Sequence, residues 1–148
     1  MDPTVQMLLD ERDITQLVHR YGAALDDRDW ALLRSCFTDD AVTVYEGPVG
    51  GEFTGYEAIE QVCRGALEPL DRSQHMIGNV TVELDGDTAT AQCYLYAQHV
   101  RTGAPGGDLC MLGGRYTDRL ARTRDGWRFT RRRLETWWID GNPAVLGG

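Results

Sequence analysis

The spacing of apolar residues changes once along this chain, near residue 70, and that change limits the folds that the sequence can adopt. Before it, apolar residues recur every three or four positions, as they do on one face of a helix. In the first such segment they are Ile14, Leu17, Val18, Tyr21 and Leu25. After it, apolar and polar residues alternate, which indicates half-buried β-strands. Helices followed by long antiparallel strands predict an α+β fold with helices packed on one face of a curved sheet.

Residues that interrupt these two patterns set the bounds of the predicted elements. Helices are predicted over residues 10–25, 30–37 and 56–67. Strands are predicted over residues 41–45, 74–84, 88–100, 109–122 and 127–139. Asp29 is placed to cap the second helix, and Thr54 with Glu57 has the spacing of a capping box for the third. Residues from 141 onward are predicted to be a loose tail. We expect one domain over residues 1–148, with its core in 8–138.

Composition excludes several classes of function. The net charge is −8, which argues against a nucleic-acid or anionic-membrane partner because both favour a basic surface. Every basic residue is Arg, so Schiff-base chemistry and a P-loop lysine are excluded. The four cysteines have no zinc-site spacing and lie among apolar residues, which favours buried free thiols. We therefore expect no metal and no organic cofactor.

The chain has no apolar run of the roughly 20 residues that would span a bilayer. Its first 13 residues are acidic and lack the basic-then-apolar order of a signal peptide. A cytoplasmic location is therefore expected.

Six short motifs are similar to those of the SnoaL-like branch of the nuclear transport factor 2-like superfamily, and they occur in the same order. They are Tyr21-Gly-Ala-Ala-Leu-Asp26, Phe37-Thr-Asp-Asp-Ala41, Phe53-Thr-Gly-Tyr-Glu-Ala58, Gln74-His-Met-Ile-Gly-Asn79, Gly113-Gly-Arg-Tyr-Thr-Asp118 and Asp125-Gly-Trp-Arg-Phe129. The resemblance covers residues 8–138. It implies a cone-shaped barrel in which three N-terminal helices cover a curved mixed or antiparallel sheet.

Within that superfamily the chain resembles lindane dehydrochlorinase, bile-acid 7α-dehydratase and scytalone dehydratase. These enzymes use a His–Asp dyad inside the cone, and the matching positions here hold His75 and Asp26. The resemblance further implies that Tyr21 and Arg132 are catalytic residues. Tyr21 matches a family position five residues before the aspartate, here Asp26. Arg132 matches a family position five residues after a tryptophan, here Trp127. Substrate-binding positions are then expected at Leu25, Leu112 and Tyr116, together with Asn79.

The residues by themselves leave each of these roles open. In the predicted strand over 74–84, alternation places His75 and Asn79 on one face, which is unusually polar if it turns inward. His75 could be a general base or a structural histidine at a strand end. Asp26 lies off the centre of the helix stripe and could belong to a surface turn. Tyr21 points inward but could simply pack.

Arg132 belongs to a triple-arginine strand, and alternation places it on the face of Arg128, Thr130 and Leu134. It could stabilise negative charge that develops on a substrate, or it could form part of a solvated basic edge.

Three hypotheses of function follow. The first is a cofactor-independent lyase, a dehydratase or dehydrohalogenase, acting on a small hydrophobic ring-containing substrate. The second is an isomerase or polyketide cyclase of the same fold. The third is a non-catalytic ligand-binding or assembly subunit, because one fold hosts many functions. A homo-oligomer, dimer or trimer, is expected because a cone-shaped sheet leaves a convex apolar face to cover.

Overall fold

The computed structural model describes residues 1–48 and 50–147. Three helices are formed: α1 (Pro3–Asp27), α2 (Trp30–Arg34) and α3 (Tyr56–Leu67). Six strands are formed: β1 (Phe37–Glu46), β2 (Gly51–Thr54), β3 (Arg72–Asp85), β4 (Thr88–Val100), β5 (Leu109–Thr123) and β6 (Gly126–Gly141). A 3-10 helix, Pro143–Leu146, follows β6. None of the helices in these residues is long and apolar enough to cross a bilayer.

All six strands form one sheet in the order β2-β1-β6-β5-β4-β3. β1 pairs with β6 in parallel, and every other pair is antiparallel. The inner face of this curved sheet packs against α1 and α3, and the buried side chains of both layers form one hydrophobic core. The predicted α+β class, with N-terminal helices on a mixed sheet, is confirmed.

The N-terminal elements differ from the prediction where local capping or core packing decides their ends. α1 begins seven residues earlier than predicted, since the Asp2 side chain accepts hydrogen bonds from the Thr4 and Val5 amides and Pro3 occupies the first turn. α2 ends at Arg34 rather than at residue 37, because the fully buried Phe37 begins β1.

The predicted capping box at α3 is wrong. Gly55 is the N-cap of this helix, and no side chain bonds to its first turn. Gly55 has φ 88°, a left-handed conformation that glycine adopts without a steric penalty. The bounds of α3 itself, and those of β4, match the prediction.

A β-bulge in β3 overturns the predicted faces of that strand. The pairing of β3 with β4 shifts between Gly78 and Thr81, and Asn79 has φ 51°. The extra residue reverses the alternation. His75 and Ile77 therefore share the inner face with Val80, Val82 and Leu84, whereas Asn79 is exposed.

The C-terminal segment packs into the core, so the predicted loose tail is wrong. The side-chain Nδ2 of Asn142 donates to the carbonyl oxygens of Pro105 and Gly107, which fixes the segment to the loop between β4 and β5. Val145 and Leu146 of the 3-10 helix are buried. All four cysteines are buried and unpaired, as predicted.

Candidate active site

A cavity of about 80 Å³ lies between the helices and the inner face of the sheet. Most of its wall is aliphatic and includes Leu25, Val62, Leu95, Ala97, Leu112 and Leu134. Two imidazoles and three phenols interrupt that wall: His75, His99, Tyr21, Tyr45 and Tyr116. Concave, mostly apolar surfaces with a few convergent polar groups are typical of small-molecule sites.

The carboxylate of Asp26 holds His75 at the cavity wall. His75 Nδ1 lies 2.7 Å from Asp26 Oδ1, and the His75 backbone amide donates to Asp26 Oδ2 at 2.8 Å. An ionised carboxylate only accepts hydrogen bonds, so the proton of the neutral imidazole is on Nδ1 and the Nε2 lone pair is free. Within the described residues Nε2 has no hydrogen-bond partner. The predicted pair is thus formed, with Asp26 behind His75.

Asp26 is ionised at neutral pH in this setting. Partial burial alone would raise the pKa of Asp26, but hydrogen bonds from His75 and from the Ser73 hydroxyl outweigh burial and hold that pKa below its usual value. The carboxylate can therefore stabilise a positive charge on His75, as the aspartate of a catalytic triad does.

His99 forms a second imidazole at the cavity, 5.8 Å from the His75 ring between centroids. It is 4% exposed, and its Nδ1 donates to the Cys110 carbonyl oxygen at 3.2 Å. Burial, reinforced by the neighbouring His75, lowers the pKa of His99 to about 4. His99 is therefore neutral at pH 7 and presents an unprotonated Nε2.

A cluster of phenols forms another part of the wall. The hydroxyls of Tyr21 and Tyr45 are hydrogen-bonded at 3.1 Å, and the Tyr45 hydroxyl lies 3.7 Å from Cys63 Sγ. Burial raises the pKa of both tyrosines well above its usual value. Both hydroxyls therefore stay protonated. One proton is used in the bond between them, which leaves the other hydroxyl able to donate to an oxygen in the cavity.

Arg132 faces inward but is not among the described residues that line the cavity, which corrects the predicted contact with substrate. Its side chain is fully buried, and it donates from Nε to Asp118 Oδ1 at 2.9 Å and from Nη2 to Oδ2 at 3.3 Å. The guanidinium carbon lies 4.2 Å from the ring centroid of Tyr21 and 3.7 Å from that of Tyr116. The phenols thus stand between Arg132 and the cavity.

A register shift explains the position of Arg132. The pairing of β5 with β6 shifts between Arg119 and Leu120, opposite Thr130. Trp127 and Phe129 are therefore buried on the face of Arg132, whereas Arg128 and Thr130 are only partly buried. Simple alternation predicts Arg128 and Thr130 on that face, which is wrong.

Of the other predicted site residues, catalytic or substrate-binding, four line the cavity and one does not. Leu25, Leu112, Tyr116 and Tyr21 line the cavity. Asn79 does not, since the bulge in β3 turns it to the outer face.

His99, Tyr45 and Leu146 are among the cavity residues that were not predicted, and the first two carried a signal in the sequence. His99 continues the odd-numbered inward series of β4, and Tyr45 continues the inward series of β1 through Ala41 and Thr43. Leu146 also lines the cavity. It comes after Asn142-Pro143, a helix-start signal, but no periodicity marks it as buried. In the described part of the chain, no three His, Cys, Asp or Glu side chains are grouped to hold a metal ion.

Comparison with known proteins decides the family. The family model described as a SnoaL-like domain matches residues 6–133. The chain belongs to the SnoaL-like family. The terrestric acid biosynthesis cluster protein E of Penicillium crustosum is 34% identical to this SnoaL-like protein over 146 residues, which cover 94% of this chain and 91% of the relative.

Solved structures agree with the fold of the SnoaL-like chain. The Kfla4162 protein of Kribbella flavida has a TM-score of 0.88 at 23% identity, covering 96% of this chain and 99% of its own. The type 3 hexachlorocyclohexane dehydrochlorinase of Novosphingobium barchaimii has a TM-score of 0.82 at 18% identity, covering 94% of each chain. At these identities the likeness shows a common fold, and activity has to be argued from the site.

The buried pair Arg132–Asp118 gives a prediction about the stability of this SnoaL-like protein. Arg132→Met should lower the free energy of unfolding by about 3–5 kcal/mol, because it leaves Asp118 buried without its cation. Arg132→Met with Asp118→Leu should recover most of that loss. Urea denaturation measures both.

Arg133→Met is the matched control, since Arg133 pairs with Glu46 at the surface and both side chains are nearly half exposed. Its effect should be below about 1 kcal/mol. Equal effects of Arg132→Met and Arg133→Met would contradict the structural importance of the buried pair.

His99 gives a prediction about pH. Its pKa is about 4 in the folded protein and about 6.5 in an unfolded chain. Between these values the unfolded state binds more protons, so acidification from about pH 6.5 to 4 should cost about 2–3 kcal/mol of stability through this residue. His99→Gln should flatten the dependence of stability on pH in that window. The exposed His19→Gln should leave it unchanged, and the same slope in His99→Gln as in wild type would contradict the assignment.

Proposed function

We propose that this SnoaL-like protein is a cofactor-independent lyase of the dehydratase type in which His75 is the general base. The observation that carries the proposal is the 2.7 Å contact between His75 Nδ1 and Asp26 Oδ1. The imidazole that makes this contact lines an apolar cavity. That contact leaves Nε2 as a proton acceptor and places a carboxylate where positive charge would form. The common fold with a dehydrochlorinase supports elimination chemistry without establishing it.

The proposed reaction removes water from neighbouring carbons. His75 Nε2 takes a proton from one carbon, and the electrons of that C–H bond form a double bond as the bond between the next carbon and its hydroxyl oxygen breaks. Asp26 stabilises the imidazolium during this step. The proton held on Nε2 then passes to the departing oxygen, which leaves as water. Each group of the protein returns to its starting state.

The phenol cluster supports an oxygen-bearing substrate. Tyr21 and Tyr45 stay protonated, and one of their two hydroxyl protons is used in the bond between them. The other would donate to a carbonyl or hydroxyl oxygen, where it stabilises negative charge as it develops. Halide leaving groups accept such bonds less well than oxygen does, so dehydration is favoured over dehydrohalogenation. The aliphatic wall formed by Leu25, Leu112 and others would enclose a small hydrophobic ring. A relative named for a biosynthesis cluster fits a substrate of this kind.

Activity should depend on His75. Cyclic β-hydroxy ketones of graded size serve as trial substrates, and mass spectrometry detects the loss of water. We expect turnover of at least one compound, reduced by about 10²- to 10⁴-fold in His75→Ala because a general base contributes that much. The matched control is His19→Ala, which removes an exposed histidine of α1.

The other outcomes are equally informative. A product of unchanged mass would indicate the isomerase or cyclase alternative. Binding without any product, in wild type and His75→Ala alike, would indicate a ligand-binding subunit. Full turnover in His75→Ala would contradict the proposed role of the imidazole.

We also propose that the outer face of the sheet binds a second copy of this chain. Five large apolar side chains, each 41–60% exposed, lie close together there: Met76, Tyr94, Tyr96, Trp137 and Trp138. The charged neighbours Arg115 and Glu135 are paired with each other. Since each chain carries a net charge of −8, two copies would associate most readily through a face whose centre is apolar. Exposed apolar patches of this kind commonly mark protein interfaces.

Sedimentation of the full chain tests this surface. The wild type should sediment as a dimer or trimer, and Trp138→Glu should weaken association at least about tenfold because it buries an unpaired charge in the interface. Met7→Glu, at an exposed site on α1, should leave association unchanged. A wild type that stays monomeric at its highest soluble concentration would contradict the proposal.

A further inference from the structure

Arg28 occupies an unusual backbone position directly after α1. Its φ of 54° and ψ of 34° are left-handed values, which glycine usually supplies at the end of a helix. Its guanidinium folds back over the helix end, where Nη1 donates to the carbonyl oxygens of Leu25 and Asp26 at 3.0 and 3.1 Å. The same Nη1 also donates to the Ser73 hydroxyl at 3.0 Å. One side chain therefore connects the end of α1 to the start of β3.

Ser73 continues that connection to the dyad. Its side chain is buried, and its hydroxyl oxygen lies 3.1 Å from Asp26 Oδ1. Because Arg28 can only donate, the Ser73 oxygen accepts from Arg28, and the single hydroxyl proton is left for Asp26. Arg28 thus sets the direction in which Ser73 donates.

We propose that Ser73 and Arg28 are positioning residues, which fix the rotation of the Asp26 carboxylate and thereby keep the His75 proton on Nδ1. The inference rests on the proposed function, in which Nε2 must be free to accept a proton.

The arrangement of donors around the carboxylate shows why this would matter. Oδ1 receives the Ser73 hydroxyl and His75 Nδ1, whereas Oδ2 receives the His75 amide. Without Ser73, Oδ1 retains a single donor, on a ring that can also carry its proton on Nε2. The carboxylate can then rotate more easily, because one of its hydrogen bonds is lost. The His75 tautomer with its proton on Nδ1 is therefore favoured less strongly.

A purely structural role for Arg28 makes a different prediction. As a helix cap, it would affect the unfolding free energy through the carbonyls of Leu25 and Asp26, without changing the His75 tautomer. Arg28→Gly separates the two roles, since glycine suits the left-handed backbone and only the guanidinium is lost.

Nitrogen-15 NMR of the full chain with labelled histidine provides the test, at about pH 8 where unperturbed histidines are neutral. The His75 signals are assigned by their loss in His75→Gln. In the wild type we expect the Nδ1–H tautomer alone, with slow exchange of its proton. Ser73→Ala and Arg28→Gly should each populate the Nε2–H tautomer and speed exchange of the Nδ1 proton about five- to tenfold, as expected for loss of one hydrogen bond.

Two further variants complete the design. Ser73→Thr keeps the hydroxyl and should restore the wild-type tautomer. Ser35→Ala removes a hydroxyl bonded to the Leu32 carbonyl in α2 and should change nothing at His75. Wild-type tautomer and exchange in both Ser73→Ala and Arg28→Gly would overturn the proposal. Because no substrate is used, this result is separate from the success or failure of the proposed lyase activity.

Discussion

The carboxylate of Asp26 is the point on which the arrangement of this protein depends. It lies in the last turn of α1, where the negative end of the helix dipole disfavours an anion. Three donors from β3 offset that cost: the Ser73 hydroxyl and two groups of His75. The same bonds fasten α1 to the start of β3 and hold the imidazole at the cavity wall. The contact between α1 and β3 and the proposed catalysis therefore both depend on the Asp26 carboxylate.

The interior beyond the dyad shows how a charged group can be kept near a cavity without entering it. Arg132 is neutralised by Asp118 and covered by the rings of Tyr21 and Tyr116. Burial of such a pair is costly unless it is hydrogen-bonded. Nε and Nη2 of Arg132 donate to Asp118, whereas Nη1 has no hydrogen-bond partner among the described residues. The two tyrosines that cover the guanidinium also line the cavity. Neutral phenols, and not the guanidinium, therefore reach the cavity, which suits a neutral oxygen-bearing ligand better than an anion.

Features that depend on local periodicity could be predicted from the sequence. The predicted faces of a strand were wrong where one extra residue, a β-bulge, reverses the alternation. The class, the bounds of α3 and β4, and the pairing of Asp26 with His75 agree with the structure, although the pairing required the family resemblance. The bulge at Asn79 reversed a face of β3, and alternation along a single strand does not reveal where its pairing with the neighbouring strand shifts. His99 was predictable by extending the alternation of β4 by two residues. Leu146 was not, because only tertiary contacts fix its segment.

A crystal structure at a resolution that shows hydrogen atoms, determined with a cyclic hydroxy ketone bound, is the most direct test of the central claim. The account predicts a proton on His75 Nδ1 facing Asp26, no proton on Nε2, and the ligand in the cavity with a C–H bond directed at Nε2 and an oxygen near the hydroxyls of Tyr21 and Tyr45. A His75 ring turned toward solvent, or a cavity closed by side chains, would contradict it.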